Sequence, residues 1–446
     1  MKRLNIIFVL FCLLAPLPAR AETAPSTPVQ PLTQEAAVEF ALAHNPAYMA
    51  AFTDVSASRE KVNQAKSGFL PKVNGSYMYE HWSQQPYVSI VGFGPQFAGV
   101  PFALQNENLW DVEIVQPLFT GFELVSNYKA SKAGLKVSKY NLQKARLDLT
   151  RDVRVAYLQT LLAQKLVQVA RDNVKSLQVQ KKNAEANYQQ GIAARNDVLK
   201  ADVALAQAVQ TQRQTTKQLI VLRATLNQYL GIELDKKIDL AGIEEKNATV
   251  PALGRLYEIA EAQRPEFLSL KESIKQAEYY RKAAEGEYYP HVSAFADYFR
   301  EGQDFAGSNN PYGNSNNTAV GLKVKWNFFE GGNTRASVLE WDYRLKGLHD
   351  RQTDLLQKID LQVKDALKQL EVARADIGTN RTALRQAREN ERITTLQYKE
   401  QVAIFLDVLN SEVYLVQSRA RYYQSVYGYE IAKAQLERAI GASIEQ

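Results

Sequence analysis

Residues 188–201 read YQQGIAARNDVLKA and residues 398–411 read YKEQVAIFLDVLNS, the same pattern displaced by 210 positions. The displacement extends both ways. Residues 117–121 (PLFTG) fall on 327–331 (NFFEG), and 226–231 (LNQYLG) on 436–441 (LERAIG). Further upstream the offset is 219: His44, Asn45 and Pro46 match Gln263, Arg264 and Pro265, and Leu70-Pro71 matches Tyr289-Pro290. A match this long means two copies of one unit. The nine-residue difference between the offsets must fall between Pro71 and Pro117, which places a length-variable loop there.

Long helical patterns dominate each copy. One runs from Gly121 almost unbroken to Gln190, and its counterpart from Gly331 to Glu400. Each is about 70 residues, hence roughly 100 Å at 1.5 Å per residue, and a helix that long is rarely a globular element. The returning segment, Val198 to about Leu230, shows heptad spacing. Val198, Leu205, Leu219 and Leu226 hold one seam position and Ala201, Ala208, Leu222 and Tyr229 the other, with Gln212 and Thr215 interrupting midway. Left-handed coiled-coil packing is expected. Leu32 to about Ser67 also reads as helix, capped at Thr33 and broken at Pro46. A return of about 33 residues and an opening helix of about 36, near 251–286, together match one long run at the same rise per residue. The short helices should stack end to end beside each long one.

Between helices the period changes to two. Val73, Gly75, Tyr77 and Tyr79 alternate with Lys72, Asn74, Ser76 and Glu80, and Trp110, Val112 and Ile114 alternate with Asp111 and Glu113. A loop rich in Gly, Pro, Phe and Gln separates them, from about Gln84 to Asn106. In the second copy the strands fall near 291–300 and 318–328, where Val320, Leu322, Val324 and Trp326 oppose Lys323 and Lys325. Strands of about 10 residues with one apolar face fit a membrane barrel wall, and equally a half-exposed soluble sheet. Tyr77, Tyr79, Trp82, Trp110, Tyr298 and Trp326 near strand ends suit an interfacial aromatic girdle.

Composition narrows the function. Lys2 and Arg3 precede an apolar run from Leu4 to Leu17, and Ala19-Arg20-Ala21 offers a small-x-small site, so a cleaved signal peptide is expected. The single cysteine, Cys12, lies inside it, leaving no thiol, disulfide or thiolate metal site beyond the signal. Without Lys2, Arg3 and Arg20 the formal charge falls from +6 to +3, and no basic block favours nucleic acid. No later apolar run approaches a membrane helix. His44, His81, His291 and His349 form no metal motif, and no catalytic constellation is found. The chain reads as a non-enzyme without a cofactor.

The expected division is a signal peptide at 1–21, a linker at 22–31 and a first repeat at 32–231. The first repeat holds a strand–loop–strand insert at 69–119 and a helical hairpin at 121–230. An equatorial linker follows at 232–250. The second repeat, at 251–446, has its insert at 290–329 and its hairpin at 331–440. Four strands cannot close a barrel, because small closed barrels need about eight. An open sheet edge is not tolerated in lipid, so the chain should form a ring of copies. Strand counting leaves two or three copies open.

These duplicated Asn/Arg-Pro breaks, strand–loop–strand inserts, Phe-x-Gly lead-ins and Asp-Val-Leu turns resemble the TolC family of outer-membrane factors over essentially the whole chain. The fold class implied is mainly α with membrane β-strands. Long coiled-coil helices and four strands per chain would form a shared trimeric 12-stranded β-barrel and an α-helical tunnel. The resemblance also implies that the turns at 191–197 and 401–407 form a nearly closed periplasmic gate. By position, Asp407 would face the constriction, Asp197 and Asn196 would lie in the neighbouring turn, and Tyr398 would help hold the coils shut. Gly191 and Gln401 mark the hairpin tips. Asn410 and Ala403 stand where some relatives carry an acid and an arginine, so a single Asp ring and a weaker closure network are expected. Three converging carboxylates would attract cations; the plainer role for Asp197 and Asp407 is helix capping.

The resemblance implies an outer-membrane exit duct of a tripartite efflux system. Its partners would be a periplasmic adaptor, an inner-membrane pump and outer-membrane lipid. The alternatives are an exit duct for type I protein secretion and, in another class, a periplasmic coiled-coil adaptor or scaffold.

Overall fold

The computed structural model describes residues 31–88, 99–243 and 250–444. The expected signal peptide, nearly all of the linker after it and parts of the 84–106 and 232–250 segments lie outside these residues.

Local chemistry sets the element boundaries. Helix α1 (Gln34–His44) starts where the Thr33 hydroxyl accepts the Ala36 amide at 3.2 Å. Pro46 cannot continue it, so Asn45 leaves the helix at φ −69°, ψ 121° and caps α2 (Pro46–Ser67) through its side chain. Strands β1 (Lys72–His81) and β4 (Asn106–Thr120) follow, with a short ladder of β2 (Tyr87–Val88) and β3 (Val100–Pro101) between them. Then come α3 (Glu123–Gln189) and its return α4 (Arg195–Leu230). The second copy runs α5 (Leu253–Gln263), α6 (Pro265–Glu285), β5 (His291–Gly302), β6 (Asn316–Lys325), α7 (Asn333–Lys399) and α8 (Phe405–Ile440). Helices α3 and α7 have 67 residues each, and α4 and α8 have 36 each. No helix among the described residues is long and apolar enough to cross a membrane.

The strands differ in extent from the alternation pattern. β4 is 15 residues long because its ladder with β5 continues past Pro117, where the register shifts before Phe119. A proline lacks a ladder donor and is tolerated at such an irregularity. β6 ends at Lys325 instead of near Phe328. The return helix begins at Arg195, three residues before Val198.

One antiparallel sheet has the order β1-β4-β5-β6, with β1 and β6 at its edges. Its register repeats like the sequence. Val73 opposes Ile114 in β1–β4, and Val292 opposes Val324 in β5–β6, each residue moved by its own copy's offset. Across the sheet Tyr77, Trp110 and Arg300 lie in one row, and Gly75, Val112, Tyr298 and Thr318 in the next. This face carries exposed Val73, Ile114, Val320 and Leu322, Val320 at 79 % exposure. The opposite face carries Asn74, Ser76, Glu113, Asp297 and Lys323.

The helical cores are also duplicated. Leu149, Val153, Ala156 and Tyr157 of α3 pack with Ala37, Ala41, Leu226 and Leu230. Their counterparts Ile359, Val363, Ala366 and Leu367 pack with Leu256, Ala260, Leu436 and Ile440. The break residues secure each joint. The Asn45 side chain donates to the Tyr229 carbonyl at 2.9 Å, and Arg264 donates to the Ala439 carbonyl at 2.8 Å. Each satisfies a carbonyl that the end of α4 or α8 leaves without a helical partner. Gly231 allows the approach: a Cβ there would stand 2.5 Å from the His44 carbonyl oxygen. The short helices therefore abut end to end beside the long ones, but with a different partner from the length match. Each return meets the opening helices of its own repeat, α4 at the Asn45 break and α8 at the Arg264 break, and not the opening helix near 251–286 of the next.

Candidate functional site

The two hairpin tips are built alike. After α3, Gly191 turns at φ 74°, and the amides of Ile192 and Ala193 donate to the Asn187 carbonyl at 2.9 and 3.2 Å. After α7, Gln401 turns at φ 61°, and the amides of Val402 and Ala403 donate to the Gln397 carbonyl at 2.8 and 3.2 Å. Backbone bonds of this kind close a helix C-terminus and use its last carbonyls. Gln401 holds a left-handed conformation that only glycine adopts freely.

The capping role expected for Asp197 and Asp407 is corrected. The capping residues are Ala194 and Ile404, neither with a side-chain cap. Asp197 and Asp407 are third in their helices, and their amides donate to Ala194 and Ile404 at 3.0 Å. The helices begin three residues earlier than a capping aspartate would require. Their carboxylates instead complement the positive end of the helix dipole. Lys200 Nζ lies 3.3 Å from Asp197 Oδ1.

A single apolar cluster joins the tips. Val174, Leu177 and Ala184 of α3 meet Ala201 and Ala208 of α4 and Phe405 and Leu409 of α8, with Tyr398 packed against them. Phe405 is 1 % exposed, and its ring centroid lies 5.6 Å from that of Tyr398. Tyr398 thus braces the tip through Phe405, a residue that motif reasoning missed. The available signal was an aromatic residue where the first copy has Arg195. Asn196, Asp407 and Asn410 are exposed. Asp407, Asn410 and Tyr414 share one face of α8 by helical spacing, and Tyr414 also escaped notice. Among the described residues, no hydrogen bond or ion pair joins Asp197 or Asn196 to Asp407 or Asn410.

One turn or more above the tips the copies differ in charge. Lys181 of α3 pairs with Asp202 of α4 at 2.6 Å. The equivalent residues in the second hairpin are Glu391 and Glu412. Glu412 is buried. That burial pushes its carboxyl above the usual range; the Ser176 hydroxyl and Arg419 oppose the rise and Glu391 adds to it. The second hairpin therefore holds a like-charged pair where the first holds a salt bridge.

Comparison with known proteins places this architecture. A family model described as "Outer membrane efflux protein" matches residues 37–232 and 256–442. The alkaline protease secretion protein AprF of Pseudomonas aeruginosa is 24% identical over 404 residues, covering 89% of this chain and 82% of that protein. The outer membrane efflux protein BepC of Brucella suis is 24% identical over 383 residues, covering 86% and 79%. The crystal structure of the Campylobacter jejuni CmeC outer membrane channel superposes with a TM-score of 0.80 at 16% identity. It covers 100% of this chain and 95% of that one.

Proposed function

We propose that this chain, which belongs to the outer membrane efflux protein family, is the outer-membrane exit duct of a tripartite efflux system. It lies in the outer membrane and reaches into the periplasm. The observation that carries the reading is a four-stranded sheet with two unpaired edges and an exposed apolar face, continuous with two 67-residue helices. Such a sheet must pair with other copies in lipid, and helices of that length supply a periplasmic tunnel of roughly 100 Å.

We infer a homotrimer, whose three sheets would make a 12-stranded barrel. A periplasmic adaptor would dock on its helices, and an inner-membrane pump would supply the energy. The duct performs no chemistry of its own. Asp407 would form a ring at the constriction, with Asn410 beside it, Asp197 and Asn196 in the adjoining turn and Tyr398 bracing the closed state. Gly191 and Gln401 would be the pivots of the tips. In planar bilayers the purified oligomer should pass a small cation-selective current that millimolar divalent cation blocks. Asp407→Ala should raise the conductance or abolish the block; an unchanged current would remove Asp407 from the constriction.

A second reading, an exit duct for type I protein secretion, is favoured by the relative named as an alkaline protease secretion protein. One duct can serve both kinds of pump. A periplasmic adaptor would not need a membrane-type sheet and should wash off membranes in high salt, whereas a barrel should stay.

A further inference from the structure

The barrel meets the tunnel where β4 turns into α3 and where α6 turns into β5. Glu123 opens α3, Glu287 lies in the single 3-10 turn Gly286–Tyr288, and His291 opens β5. One carboxylate oxygen of each glutamate and one ring nitrogen of His291 lie within 4.8 Å of one another. Two glycines permit this proximity. A Cβ on Gly121 would stand 2.1 Å from the Gly286 carbonyl oxygen, and one on Gly286 would stand 3.2 Å from Glu123 Cβ. The Asn127 amide donates to Glu123 Oε1 at 3.3 Å and orients that carboxylate. His291 Nε2 is buried and has no hydrogen-bond partner. A buried imidazole nitrogen without a partner requires an explanation.

We propose that Glu123, Glu287 and His291 form a binding site for a divalent transition-metal ion, with Zn²⁺ as the reference, that clasps the first strand of the second repeat to the first long helix. Imidazole with carboxylates suits Zn²⁺ and its neighbours, whereas Ca²⁺ and Mg²⁺ take oxygen ligands alone. Three protein ligands leave a fourth position for water. Ligands about 2.1 Å from a tetrahedral ion stand roughly 3.4 Å apart, within reach of small side-chain rotations from the observed spacing. The repeat supplies an internal control. The positions equivalent to Glu123, Glu287 and His291 are Asn333, Gly68 and Lys72, which could not assemble such a site. The cluster is therefore not a by-product of duplicating the unit.

The test uses the intact oligomer without a polyhistidine tag, stripped with EDTA, in an Asp407→Ala background so that an acidic ring at the tips cannot contribute. Zn²⁺ is titrated by calorimetry and Co²⁺ by its visible absorption. About one ion per chain is expected. His291→Ala and the isosteric Glu123→Gln should each weaken binding at least ~10-fold and abolish the Co²⁺ band. Unchanged Zn²⁺ binding in both variants, or no stoichiometric binding by the parent, overturns the site. Should His291→Ala fail to assemble, Glu123→Gln decides the question alone.

Discussion

Gln401 sits at φ 61° where its repeat mate Gly191 sits at φ 74°. A side chain in that region is strained by about 1 kcal/mol or more. Gln401→Gly should therefore stabilise the second hairpin by about 1 kcal/mol, read as a higher urea midpoint. Gly191→Gln should lower the midpoint by a similar amount. No atom lies within 4 Å of a Cβ at Gly191, so the backbone conformation alone is at issue. Tyr157 makes a second case. It is 1 % exposed, and its hydroxyl donates to the carbonyls of Leu32 and Ala241 at 2.8 and 2.7 Å. Burial, then Glu35, pushes its pKa up to about 12, against the Ala241 hydrogen bond. The folded state holds this proton more tightly than the unfolded chain does. Its contribution is thus complete below pH 10, the ordinary tyrosine value, and is lost as pH rises through about 12. Tyr157→Phe should cost about 1–2 kcal/mol at neutral pH and flatten that alkaline decline in denaturation midpoints.

The two hairpins are equal in length and differ in charge pairing. α3 and α4 are tied by Lys181 and Asp202, whereas α7 and α8 face each other with Glu391 and Glu412. Glu412, held above the usual carboxylate range by burial and Glu391, favours folding only while protonated. That contribution is lost as pH rises through its folded pKa, so the pair loosens the second hairpin once Glu412 ionises. Glu391→Lys should install the missing bridge, raise the thermal midpoint wherever Glu412 is ionised and flatten the decline of that midpoint as pH rises above the ordinary carboxylate range. A melting profile that keeps its pH dependence would show that the carboxylate pair is not its source. Phe405 works in the opposite direction, tying the second hairpin to the first through the tip cluster.

Repetition of strand register makes a prediction for the whole assembly. Within the chain, Lys72 opposite Val115 becomes His291 opposite Lys325 when each residue is moved by its copy's offset. Applying the same operation to β4–β5, where Ile114 opposes Ala296, pairs Val324 with Tyr77 of a neighbouring copy. The chain has no cysteine besides Cys12, so Tyr77→Cys with Val324→Cys gives a clean probe. Oxidation should link copies into dimers and a closed trimer on gels, and neither single variant should form the ladder. Absence of cross-links in an intact oligomer would exclude this register. The exposed apolar residues of α7 and α4, Leu361, Val372, Val203 and Ile220 among them, likewise need neighbours to cover them.

Much of this was legible because it is local. Offsets of 210 and 219, prolines that break α1 from α2 and α5 from α6, and glycines at the helix ends act within a few residues of themselves. From these the paired helices, their lengths and the need for a ring followed. The face alternation of the strands was equally plain, since a period of two survives in any register. Other features required chain segments far apart to meet. Phe405 acquires its role only where α8 touches α3 and α4. Glu412 becomes costly only where packing removes its water and sets Glu391 beside it. The aspartates moved from cap to first turn because the backbone, and not the side chain, closes the tips. Glu123, Glu287 and His291 are scattered in the chain, and only the contact of Gly121 with Gly286 draws them together. Sequence by itself determined what repeats, and tertiary packing decided where the two copies differ, because burial and charge proximity depend on neighbours that sequence order does not record.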